Sequence, residues 1–304
     1  MTQKTLERIF QVPDPARLNL SNIRGSVDLQ HGEDLQIHVT AVKQAHTGDA
    51  DGTEIEWSQD GDGTVTIATH FRDAAWSWLI GSHPCCVDYV VKAPRSCSLK
   101  VKGVSNTLSV DGFEGEFDFY SVSGEVTLHA LTGPVRIYTV SGEVSAEGLT
   151  GVLHLDTVSG DAEFKKMKLP SVDAHTVSGN VHLQTPLGEG SYRFKSVSGD
   201  VHLRVPPESC CSLELHSISG KIRTDFPLRN TSAMHGSQTA EVQSGGVPIS
   251  LYSVSGDLSL DCDGELLGEA YARKTPRVEK RRSILEHIER GEMTVEEALD
   301  QLHA

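Results

Sequence analysis

The sequence predicts an all-β protein, a β-solenoid of stacked coils about 18–21 residues long, followed by a short C-terminal α-helical hairpin. Three observations carry that reading. Six glycines (Gly115, Gly124, Gly133, Gly142, Gly151 and Gly160) recur at a constant step of nine, with Asn106 one step earlier in the same frame. Apolar residues return two and four places after each glycine, as Val135 and Ile137 do after Gly133, which is strand and not helix periodicity. Beyond residue 278 that grammar gives way to helical spacing.

A short fixed period marks a stacked-repeat architecture. The truer unit is two steps long, because Val-Ser-Gly recurs only at alternate glycines: Val122-Ser123-Gly124, Val140-Ser141-Gly142, Val158-Ser159-Gly160. An 18-residue coil with two unlike strands results. After Gly160 the Ser-Gly pairs fall at Gly179, Gly199 and Gly220, and the longer gap to Gly256 spans an insertion. Nine is odd, so strict alternation needs a parity step in every unit. Apolar residues seven places after the glycine (Val122, Leu131, Val140, Leu149, Val158) put that corner five to six places after it. On this reading the glycines and the seventh-place residues face inward. Val140→Asp is then expected to unfold the solenoid, and Glu143→Gln to leave it folded.

The chain divides into a solenoid over 1–270, a basic linker over 271–278 and a helical hairpin over 279–304. Within the solenoid, residues 5–90 form irregular N-terminal coils with a cap, and 91–265 the regular repeats. Strands are expected at 35–42, 54–58 and 64–70, separated by Asp/Gly turns that lack calcium-loop spacing. Residues 72–86, with Trp76 and Trp78, read as a loop or cap over the solenoid's open end, with a ligand cleft as the alternative. A strand–proline turn–strand element occurs twice, at 91–101 and 203–215, which makes Cys97 and Cys211 a structural cysteine column. The Gly/Ser-rich stretch 229–247 reads as a flexible lateral loop. In the hairpin, Ile284, Leu285 and Ile288 share one helix face, and Thr294-Val295-Glu296-Glu297 is a capping box ahead of Leu299 and Leu302. So short a hairpin is not stable alone. Its apolar stripe must dock on the solenoid, on a second copy or on a partner, which makes those five residues the assembly residues.

Hydrophobic residues at 38% and charged ones at 23% match a soluble globular chain. The net charge of −15 lies wholly in the first 270 residues, which argues against nucleic acid as a partner. No apolar run of about 18 residues suggests a membrane helix, and the N-terminus lacks the basic start and apolar core of a secretory signal. With six cysteines, no CxxC and no signal, the expected compartment is the reducing cytoplasm.

Three columns carry polar chemistry. The residue after each Val-Ser-Gly-type glycine is acidic or an amide at Glu125, Glu143, Asp161, Asn180, Asp200 and Asp257, with Lys221 breaking the row. Such a row can hold cations or a basic partner, though it lacks the base and electrophile that catalysis needs. Serines precede the same glycines, and a nucleophile is singular where these repeat, so a hydroxyl ladder is the better reading. Histidines at 129, 154, 175, 182, 202 and 216 come without HxH or HExxH spacing. The sequence therefore predicts no catalytic residue, no metal and no cofactor.

The repeated Thr/Ser-Val-Ser-Gly-Asp/Glu-Val phrases, together with the opening Phe10-x-Val12-x-x-Pro15 and Leu20-Ser21-Asn22, resemble the bacterial β-strand-repeat family known as "putative adhesins". That resemblance covers about residues 5–265. Arg281–Leu302 resembles the SHOCT-like helical module, which in such proteins commonly lies at the N-terminus instead. The resemblance implies a right-handed β-helix, no established enzyme activity, and for some relatives a part in Gram-positive envelope-stress systems that sense cationic peptides. The leading expectation is a non-enzymatic scaffold with protein docking or self-association through the hairpin. The alternatives are a stress sensor binding cationic peptides on its acidic wall, and a carbohydrate-binding or carbohydrate-active β-helix.

Overall fold

The computed structural model describes residues 2–32, 34–45, 52–71, 85–234 and 236–263. The linker, the hairpin and residues 72–84 of the cap lie outside the described residues. Within them the regular structure is entirely β-strand.

Each regular coil has three sides. A long strand such as Val135–Ser141 runs to a corner at the glycine, and a short strand such as Val144–Glu147 comes next. A third side is joined between coils by single bridges through Glu114, Thr132, Thr150 and Lys168. Long strands stack in parallel as one wall, with Phe117, Val135, Leu153, Val172 and Tyr192 aligned. Short strands stack as a second wall, with Val126, Val144, Ala162 and Val181 aligned. These columns are buried and fill the space between the walls, each large side chain contributing about 1.5–3 kcal/mol.

The corners sit elsewhere than strict parity would place them. On the long strand, alternation continues one step further: Thr139 at the sixth place is buried, and Val140 at the seventh points out, 48% exposed. On the short strand a left-handed residue at the sixth place supplies the parity flip. Ala130 (φ 51°), Gly148 (φ 72°) and Lys166 (φ 51°) do so, and Leu131, Leu149 and Met167 turn inward behind them. The inward assignment of the seventh place thus holds for Leu131 and Leu149 and is corrected for Val122, Val140 and Val158. With it goes the expectation that Val140→Asp unfolds the protein.

The glycines are corrected too. They do not face the core: their missing Cβ points along the stack at the next coil's backbone. At Gly142 (φ 152°) an added Cβ would lie 2.1 Å from the Gly124 carbonyl oxygen, and at Gly133 1.9 Å from that of Gly115. Only glycine permits that approach at the stacking distance of about 4.8 Å. Gly115, Gly133 and Gly151 line one corner. Gly124, Gly142, Gly160, Gly179, Gly199, Gly256 and Gly220 line the other.

At the N-terminal end, Ala16–Gly32 and Cys97–Asp111 pair in parallel across both walls. The long wall then closes with Val65–Phe71 and antiparallel Thr53–Gln59, and the short wall with Cys86–Pro94, Gln36–Ala45 and Thr2–Gln11. At the other end the order in space departs from the order in sequence. Val247–Ser255 lies between Tyr192–Ser198 and Cys211–Ser217, so the later coil is inserted inside the earlier one. The expected lateral loop is instead an antiparallel hairpin, Leu228–Met234 with Ser237–Val242, paired on Cys211–Ser217 at the end of the stack. Its turn-rich composition concealed two strands that pair with each other and, through Ser237–Val242, with Cys211–Ser217. Cys97 and Cys211 are free and fully buried near opposite ends of the stack, not in one contiguous column. Burial pushes each thiol up to about 12.

Candidate functional site

The outward valines make a surface that the sequence reading missed. Val122, Val140, Val158, Val177 and Val197 stand 46–50% exposed in one column at the end of the long strands. Two residues earlier in each strand, Tyr120, Tyr138, Asp156, His175 and Lys195 form a second outward column in the same register. Between them the intervening residues turn inward, and the two columns flank an open, mainly apolar groove of about 590 Å³ running across five coils.

The polar residues on the groove and in the outward column beside it are paired with one another. Tyr120 and Tyr138 stack with ring centroids 4.8 Å apart, and partial burial raises the Tyr138 phenol. Below them, His154 Nε2 lies 2.8 Å from Asp156 Oδ2 and His175 Nδ1 lies 3.0 Å from Asp156 Oδ1. Asp173 faces both rings, at 3.8 Å from His154 Nδ1 and 3.4 Å from His175 Nε2. Arg136 Nη1 holds Asp118 at 3.0 Å, and that hydrogen bond raises the guanidinium further. One and two coils beyond the groove, Tyr252 and His216 stack at 4.7 Å. Among the described residues no group of three or more His, Cys, Asp or Glu is placed to hold a metal ion.

Around the glycine corner, three residues beyond the valines, the acidic column is brought into register on the short wall. From Asp161 onward it has a structural use. Asp161 Oδ1 accepts the backbone amide of Asn180 (2.7 Å), Asn180 Oδ1 that of Asp200 (3.0 Å), Asp200 Oδ1 that of Asp257 (2.8 Å), and Asp257 Oδ1 that of Lys221 (2.9 Å). Each acceptor satisfies an N–H that the corner takes out of the strand ladder. Lys221 does not break the row; it ends it, because its coil is outermost. Arg223 Nη2 reaches Asp257 Oδ2 at 2.6 Å there. Glu125 instead accepts the Thr127 hydroxyl at 3.3 Å, and Glu143 lies between Glu125 and Asp161 in the same column.

The serine column gives a hydroxyl contact at its first step, where Ser123 Oγ donates to the Val104 carbonyl at 3.1 Å and lies 3.4 Å from Ser105 Oγ. His182 and His202 stack at 4.7 Å on the short wall; burial first, then the neighbouring ring, lowers the His182 pKa. The assembly residues Ile284, Leu285, Ile288, Leu299 and Leu302 lie outside the described residues. One signal of the groove was legible: the seventh place is Val in each Val-Ser-Gly unit and Leu or Met in the others.

The family profile described as Toastrack DUF4097 matches residues 16–261. Among solved structures, a "putative adhesin" from Bacteroides fragilis is similar at 12% identity, covering 85% of this chain and 97% of that one with a TM-score of 0.49. A second, from Parabacteroides distasonis, is 12% identical over 84% of this chain and 97% of that one, with a TM-score of 0.41. No curated protein matches the chain.

Proposed function

The chain belongs to the Toastrack DUF4097 family, and we propose that it acts as a non-enzymatic scaffold that docks a protein segment in the groove of its long wall, with assembly through the hairpin at 279–304. The single observation behind this is the valine column. Five valines turned outward in register gather apolar surface on one face, and apolar surface gathered in this way marks interaction sites. The tyrosine and charged rim supplies the polar edge that docking surfaces combine with an apolar centre. The free cysteines suit a reducing compartment, and we place the chain in the cytoplasm.

Capture from cell lysate by the full chain, against the same chain carrying Val140→Lys and Val158→Lys, tests the reading. Bound proteins should be lost from the variant while its far-ultraviolet dichroism is unchanged. Capture of the same set by both removes the groove as the docking surface.

A further inference from the structure

The described chain ends at Asp263, whose amide donates to the Val205 carbonyl at 2.9 Å at the end of the short wall. The groove lies on the other side of the glycine corner. Between the two stands the acidic column. Three features of the sequence beyond Asp263 fit that layout. Residues 264–278 number 15, then a basic run includes Lys280, Arg281 and Arg282, and Ile284, Leu285 and Ile288 come next at helical spacing.

We propose that the groove's occupant is this chain's own segment 279–290, laid along the stack as a helix with Ile284, Leu285 and Ile288 against the valine column. The inference rests on the reading of the groove as a docking surface and names what fills it.

The dimensions agree. Five coils at ~4.8 Å spacing put about 19 Å between the rungs of Tyr120 and Lys195. A helix of 12 residues spans about 18 Å. Nine residues separate Val254, beside the groove, from Asp263, so the exit point lies within about 30 Å at strand rise. Fifteen extended residues reach about 50 Å.

The charges agree as well. A linker taking that path crosses the acidic column near Asp200 and Asp257, and carries Arg273, Lys274 and Arg277 over it. The body holds all of the net −15, whereas the segment from 271 onward is neutral overall with its bases clustered at its start. Apolar burial would hold the helix, and the basic run would set its direction.

Amine cross-linking of the full chain tests this, since Lys195 lines the groove and Lys280 opens the segment. A Lys195–Lys280 link within one chain is expected, unchanged on dilution and absent from the Leu285→Asp/Ile288→Asp chain. Links from Lys280 confined to Lys165 or Lys221, or links only between isotopically distinct copies, overturn the proposal; the second result gives the groove to another copy. A fluorescent peptide of residues 279–302 should bind the Leu285→Asp/Ile288→Asp chain at least about tenfold tighter than the unmodified chain, where a tethered tail competes at millimolar effective concentration. Equal binding to both overturns self-occupancy and keeps the docking surface. Binding to neither overturns both.

Discussion

Asp200 Oδ1 accepts the backbone amide of Asp257 at 2.8 Å, although the two residues are 57 apart in sequence. This contact joins the inserted coil to the coil beneath it, and it is one link in a chain of side-chain acceptors running from Asp161 to Asp257, which takes the Lys221 amide.

Asn180 fills the same place with an amide oxygen, so the position needs an acceptor and not a charge. Asp200→Ala should therefore lower stability by about 1–2 kcal/mol, the value of an orphaned amide. Asp200→Asn should recover most of that loss. Urea midpoints of the two variants check it, and equal losses would show that the carboxylate works through charge alone.

Two glycines close together in sequence should respond differently to alanine. At Gly142 a Cβ meets backbone oxygen at 2.1 Å, and neither partner can move without shifting a whole coil. Gly142→Ala should cost about 3 kcal/mol. At Gly148 (φ 72°) the nearest atoms are 3.8 Å away, and Ala130 already occupies the equivalent place at φ 51°. Gly148→Ala should cost about 1 kcal/mol. Thermal melts of both rank them.

Val140 and Leu149 both stand seven places after a glycine, yet one is 48% exposed and the other 0%. Val140→Asp should change stability by about 1 kcal/mol or less. Leu149→Ala should lose about 2–5 kcal/mol by leaving a cavity. Chemical denaturation that ranked them the other way would reverse the assignment of the long wall.

His182 is held below its ordinary value by burial and by the stacked His202. The unfolded ring, near 6.5, therefore takes up a proton at a pH where the folded ring does not. Its contribution is complete above about pH 6.5 and is lost as the pH falls from there through the folded value. The denaturation midpoint should drop modestly between pH 7 and pH 5, and His182→Gln should flatten that drop.

The coil architecture was legible because buried alternation and stacked glycines leave the same mark in every unit. What failed did so for local reasons. An αL residue at Ala130 or Lys166 resets parity without any glycine to announce it, so units with the same spacing send Leu131 inward and Val140 outward. The acidic row was legible as a row; its use was not, because the amide that Asp200 accepts belongs to a residue 57 positions on. The groove needed the orientation of Val140 to be known before Tyr138 and His175 could be seen to face it.

The inserted coil has a consequence for synthesis. Cys211–Ser217 leaves the ribosome before Val247–Ser255, the strand it must rest upon. A repeat protein ordinarily extends by adding each new unit to a finished surface. Here residues 206–246 have no surface to join until the strands up to Cys262 have appeared, and the stack closes by interposition. The terminal coil is thus the last to become secure, and the earliest moment at which the fold can be complete is also the moment at which the tail begins to emerge.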